Sequence, residues 1–163
     1  MSVTDRDSRR ITLERTFDAE VSELWELWTT KDGFESWWGP EGFRSEVRKL
    51  ELEVGGETVY AMIAVGAEQI DFLKKAGMPL ESVDRLTLTE IVPMQRLAYT
   101  HVIDFLPGVA PYRADMEVEF STVAEGARMV ITMDVMHDEA MTERAVAGWR
   151  SQLDRLEKRL AKA

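Results

Sequence analysis

The longest periodic stretch of the sequence lies at its C-terminal end. Ala145, Trp149, Leu153, Leu156 and Leu160 recur at helical spacing, while Arg150, Asp154, Glu157, Lys158 and Arg159 fall mostly on the opposite face. No proline interrupts this stretch, and Asp138 is placed to cap its start. The pattern predicts one long amphipathic helix running to the C-terminus. A helix with one apolar face needs a surface to cover.

Elsewhere the period is mostly two. Arg10 to Phe17 alternates, with Ile11, Leu13 and Arg15 on one side. Val21, Leu24, Trp25 and Trp28 then follow helical spacing, which predicts a short helix over 22–28 and a second over 31–37, stopped at Gly39-Pro40. Phe43 to Val54 is strand-like. Its apolar parity shifts from Phe43 and Val47 to Leu50, Leu52 and Val54, so a bulge is expected near Arg48-Lys49. Gly55-Gly56 marks a turn into a strand over 57–65, completing a hairpin. Residues 67–76 interrupt the strands with a helical pattern closed by Gly77 and Pro79. Four further strands are predicted. The strand over 85–92 puts Leu86, Leu88, Glu90 and Val92 on one face and ends at Pro93. The next, over 96–105, aligns Leu97, Tyr99, His101, Ile103 and Phe105, and Leu106-Pro107-Gly108 turns the chain. The third, over 113–120, turns Ala114, Met116, Val118 and Phe120 inward. The last, over 128–136, aligns Met129, Ile131, Met133 and Val135. Consecutive strands with short turns make an antiparallel meander with one wet and one buried face. The C-terminal helix is expected to cover the buried face, giving an α+β fold with two short helices after the first strand.

Composition narrows the options. At 163 residues the chain is expected to form one domain, residues 1–163, with residues 67–76 as a helical insertion. Thirty Asp and Glu against 20 Lys and Arg leave a net charge of -10, which argues against nucleic acid and against anionic membrane surfaces as partners. The absence of cysteine excludes disulfides, thiolate nucleophiles and thiolate metal sites. The first ten residues are polar, without a signal-peptide core, and no apolar run reaches membrane-spanning length, so a cytoplasmic location is expected.

Five motifs in register resemble a known family. They are Phe17-Asp18-Ala19 before Leu24-Trp25 and Trp28-Thr29; Trp37-Trp38-Gly39-Pro40; Leu52-Glu53-Val54-Gly55-Gly56; Glu90-Ile91-Val92-Pro93 with Arg96-Leu97-Ala98-Tyr99-Thr100; and Gly148-Trp149 with Leu153 and Leu156. In that order they resemble the single-domain bacterial proteins related to the activator of the heat-shock-90 chaperone ATPase, within the START-like, birch-pollen-allergen-like superfamily. The resemblance implies a helix-grip fold, in which a curved antiparallel sheet wraps a long C-terminal helix around an apolar cavity. Relatives bind lipids, hormones or aromatic polyketides, and some cyclise or hydrate them. The family name alone is no ground for expecting chaperone binding. A homodimer is admitted by the family only. The helix at 67–76 departs from the short hairpin usual in these relatives.

Several side chains are candidates for chemistry. His101, with the parity of Tyr99 and Ile103, is placed to orient a ligand or act as a general base; the commoner role for such a histidine is a core or rim residue satisfied by a neighbour. Glu90 shares the face of Leu86 and Leu88, so it either turns inward beside His101 or braces the turn at Pro93. Trp37 and Trp38 either wall a cavity or pack in the core. The expected cavity residues are Trp38, Tyr60, Met62, Tyr99, His101, Ile103, Met116, Met133, Trp149 and Leu153. Methionine suits irregular space and ordinary core filling equally. His137-Asp138-Glu139 lies where acids cap a helix, and no metal or cofactor is expected. There is neither a phosphate loop nor a nucleophile elbow. The leading expectation is non-catalytic binding of a small apolar or aromatic molecule. The alternatives are a cyclase or hydratase using His101 with Glu90 or Tyr99, and a cochaperone-like interaction module.

Overall fold

The computed structural model describes residues 10–103, 108–136 and 138–160, leaving aside the side chain of Ile103. The strands are β1 (Arg10–Phe17), β2 (Phe43–Leu50), β3 (Glu57–Ala64), β4 (Glu81–Val92), β5 (Arg96–Ile103), β6 (Tyr112–Val123) and β7 (Gly126–Asp134). The helices are α1 (Val21–Thr29), α2 (Lys31–Glu35), α3 (Ala67–Lys75) and α4 (Glu139–Leu160). The strands form one sheet in the order β1-β7-β6-β5-β4-β3-β2. Every neighbouring pair is antiparallel. The alternation of the sequence becomes the two faces of this sheet, and α1, α2 and α4 gather on the apolar one. The fold is α+β, a curved open sheet gripping a long C-terminal helix.

The departures from the expected elements have local causes. Residues 36 and 37 fall in the turn after α2 rather than in it, where Ser36 closes the helix by donating to the Gly33 carbonyl. β2 stops at Leu50, and Leu52 and Val54 stand exposed beyond it. The expected bulge is present, as the register with β3 shifts between Val47 and Lys49. β4 begins at Glu81, four residues earlier than its apolar alternation suggests, because Ser82, Val83 and Asp84 pair with β3. The helical excursion forms as α3 and has no buried side chain. The expected strand end at Phe105, the Leu106-Pro107 part of the turn and His137 lie outside the described residues.

Beneath α1 and α2 the core is built of stacked and edge-on aromatic rings. Trp28, 1 % exposed, stacks on Tyr99 with ring centroids 6.1 Å apart and on Trp149 at 6.2 Å. It meets Trp37 edge-on at 5.1 Å and Phe120 at 6.4 Å, and its indole N–H donates to the Met129 sulfur. Trp37, fully buried, donates its indole N–H to the Leu27 carbonyl at 2.7 Å. Such paired rings contribute beyond the area they bury.

Candidate functional site

α4 is anchored through its second half. Leu153, Leu156 and Leu160 are buried against the sheet, and Arg15 on β1 donates to Asp154 at 2.8 Å. Next to those leucines the helix carries polar groups that hold the 39–42 loop. The Gly39 N–H donates to Gln152 Oε1 at 2.6 Å, and the Glu41 N–H donates to Ser151 Oγ at 2.9 Å. Arg155 donates to the carbonyls of Gly39 and Phe43. Gly39 has a φ of 112°, a conformation glycine adopts freely, and a Cβ there would press on the Met62 sulfur. At its other end α4 is capped as expected, the Met141 N–H donating to Asp138 Oδ1 at 2.7 Å.

Between this anchor and the cap, the helix spans a cavity of about 220 Å³, partly open to solvent. Tyr60, Met62, Leu86, His101, Met116 and Met133 form its sheet wall. Ala145, Gly148, Trp149 and Gln152 form its helix wall, and Trp38 and Pro40 close one end. Met136 and the strand ends at Ala114, Asp115 and Asp134 border it elsewhere. The lining is chiefly apolar and aromatic with a few polar groups, the composition of a small-molecule site.

Seven of the residues singled out from sequence meet around this space: Trp38, Tyr60, Met62, His101, Met116, Met133 and Trp149. Tyr99 and Leu153 are buried in the adjoining core and are not among its lining. The side chain of Ile103 lies outside the described residues. Trp38 is 4 % exposed, meeting Trp149 edge-on at 5.2 Å, so it closes the end of the space from within.

Glu90 does not turn inward. The register of β4 against β5 shifts between Leu88 and Glu90, and this bulge reverses the parity that placed Glu90 with Leu86 and Leu88. Its carboxylate instead accepts from Arg96 Nε at 2.7 Å across the turn that carries Pro93, bracing that hairpin from the solvent side. The pairing of His101 with Glu90 is therefore corrected: His101 stands opposite Leu86, whereas Glu90 stands opposite Ala98.

The carboxylate near His101 is Asp84. Its Oδ1 lies 3.8 Å from His101 Nε2, too far for a direct hydrogen bond, with only 10 % of the Asp84 side chain exposed. Asp84 also stands opposite Tyr60. Burial, reinforced by the Asp84 carboxylate, pushes the Tyr60 hydroxyl well above its ordinary value, while a hydrogen bond with Trp38 pulls the other way. Tyr60 and His101 thus give the apolar space a polar edge, and Asp84 stands next to both of them. Asp84 escaped notice in the sequence because it precedes the clear alternation of β4; extending the parity of Leu86 and Leu88 back by one step would have found it. Among the described residues no group of three or more His, Asp or Glu is placed to hold a metal ion, and no helix is long and apolar enough to cross a membrane.

Solved structures share this architecture. A protein from Chromobacterium violaceum is 19% identical, covering 95% of this chain and 99% of its own, with a TM-score of 0.77. An AHSA1 protein of Silicibacter pomeroyi is 20% identical over 93% of this chain and 97% of its own, with a TM-score of 0.72. A protein from Mycobacterium smegmatis is 16% identical over 98% and 94%, with a TM-score of 0.73. Likeness at these identities shows the fold. A leucine–tRNA ligase of Frankia alni is 30% identical over 104 residues, which is 58% of this chain and 10% of that protein, so the chain spans about a tenth of the curated relative it matches. The family model described as Activator of Hsp90 ATPase homolog 1-like protein matches residues 18–161, nearly the whole length on which sheet, loop and helix enclose the cavity, and the chain belongs to that family.

Proposed function

We propose that the protein binds a small apolar or aromatic molecule in the cavity between the sheet and α4, without transforming it. The observation that carries this is the lining: Trp38, Tyr60 and Trp149 offer flat surfaces, and Met62, Met116 and Met133 offer adaptable ones. A dry apolar cavity of about 150 Å³ is known to take benzene. On that scale a space of about 220 Å³ suits one to two rings. The test is mass spectrometry of the gently purified protein, native and then denatured, followed by calorimetric titration with 2-naphthol. A small aromatic or apolar molecule released on denaturation, or saturable uptake of 2-naphthol, supports binding. An empty protein that takes up no 2-naphthol overturns it.

One observation favours a second, catalytic reading. His101 lines the cavity with the Asp84 carboxylate 3.8 Å behind it, an order of groups that suits proton transfer to or from a bound molecule in a cyclase or hydratase. Substituting His101→Ala separates the two. An enzyme loses turnover and keeps its affinity for the ligand, whereas a carrier changes in affinity alone.

A further inference from the structure

Gly148 lies within α4, a helix of 22 residues, where glycine is the least favoured residue after proline. Two common reasons for a glycine do not apply. Its φ is not positive, unlike that of Gly39 or Gly126. Nor does a neighbour crowd it, for a Cβ built at Gly148 meets no atom within 4 Å. Gly33 is the contrast: a Cβ there would fall 2.5 Å from the Glu26 carbonyl oxygen. Gly148 does share the inner stripe of α4 with Ala145, Trp149 and Gln152, and it lines the cavity with them. A side chain at this position would enter the space between helix and sheet.

We propose that Gly148 is the size-determining position of the cavity, and that its bare backbone is the surface on which the flat face of a two-ring aromatic ligand rests; this rests on the binding function proposed above. Glycine lets a ligand approach helix backbone more closely than any other residue does. Trp149, one position on, is fixed by stacking on Trp28 at 6.2 Å, so it sets one edge of the seat. Met116 and Met133 face the seat from the sheet and adapt to the ring edge. The ligand class is a flat bicyclic aromatic, excluded when the helix wall gains a branched side chain.

The test is calorimetric titration of phenol, 2-naphthol and 9-phenanthrol into the wild-type protein and the Gly148→Ala, Gly148→Val and Ala147→Val variants, with thermal melting of each. The wild-type protein is expected to favour 2-naphthol. Gly148→Val should weaken 2-naphthol at least about tenfold, the scale of steric rejection in an apolar pocket, while phenol changes by less than about threefold. Gly148→Ala should melt higher than the wild type and shift the preference in the same direction by a smaller factor. Ala147 is exposed, so Ala147→Val should leave the preference unchanged. A Gly148→Val protein that binds 2-naphthol as the wild type does overturns the inference and leaves the binding function standing. Equal loss of phenol and 2-naphthol also overturns it, since the damage would then be to the cavity as a whole. A wild-type protein that binds none of the three overturns this inference, and it overturns the binding function as well when no small molecule is released on denaturation.

Discussion

Two halves of one sheet face are packed in opposite ways. Beneath α1 and α2 the face is full: Trp28, Phe34 and Trp37 are each at most 1 % exposed, and Trp28 meets Tyr99, Phe120 and Met129. Beneath the first half of α4 the same strands border a cavity of about 220 Å³. The sheet residues do not explain the difference, because β7 contributes Met129 to the full half and Met133 to the empty one. The covering helices do. α1 lowers Leu24, Trp25 and Trp28 onto the sheet, whereas α4 presents Ala145 and Gly148 over the cavity. An empty region in a well-packed protein therefore follows here from small residues on one helix, held at a fixed height by the leucines and the Gln152 and Arg155 contacts further along it.

The largest effect is expected in the full half. Trp28→Ala removes the ring on which Tyr99, Trp149 and Trp37 converge, and urea unfolding should show a loss of about 3–5 kcal/mol. The comparison is sharpened by the two methionines of β7, which are chemically identical and four residues apart. Met129 is 1 % exposed and packed under Trp28, so Met129→Ala should cost about 4 kcal/mol. Met133 lines the cavity, so Met133→Ala should cost about 2 kcal/mol, near the low end for this change. Equal losses at the two positions would remove the distinction between the halves.

Each half also holds a buried tyrosine, and alkali reads them together. Burial raises the Tyr99 hydroxyl above its ordinary 10.0, and burial with the Asp84 carboxylate raises Tyr60. Both stay protonated in the folded protein beyond the pH at which the unfolded chain ionises. The stability they contribute is complete below pH 10 and falls as pH rises above it, by up to about 1.4 kcal/mol per pH unit for each group. Urea midpoints measured from pH 9 to about pH 11.5 should decline, and Tyr99→Phe and Tyr60→Phe should each flatten the decline. A midpoint independent of pH across this range would show that neither hydroxyl is buried as described.

The full half was the more legible in sequence. Trp28, Phe120 and Met129 declare themselves by periodicity, since burial on a strand or helix is a repeating demand and the alternation of β6 and β7 is unbroken. The cavity half was legible only in part. Parity turned His101, Met116 and Met133 toward the buried face, yet it could not tell a residue beside empty space from one in the core, as Tyr99 and Leu153 demonstrate. Gln152 went unnoticed because its contact with Gly39 spans 113 positions and leaves no local signal. Parity alone pointed Glu90 inward because a bulge of one residue reverses parity without any mark in composition, whereas the alternative that it braces the turn at Pro93 is the one found.

The smallest effect is expected where that bulge moved a carboxylate from one side of the sheet to the other. Glu90 and Asp84 both lie on β4, and the register puts Asp84 beside the cavity and Glu90 in solvent. Glu90→Gln weakens an ion pair whose acidic partner is 48% exposed, and Arg96 retains Glu117 and Glu119. Its cost to stability should lie within about 0.5 kcal/mol, and binding of 2-naphthol should not change. Asp84→Asn alters a carboxylate with 10% of its side chain exposed, next to His101 and opposite Tyr60. It should leave the fold intact while changing the decline of stability in alkali, because the negative charge that helps keep Tyr60 protonated is gone. If Glu90→Gln changed 2-naphthol binding and Asp84→Asn left both measurements unmoved, the polar edge of the cavity would lie on the other side of the bulge, and the division of the inner face drawn above would fail at β4.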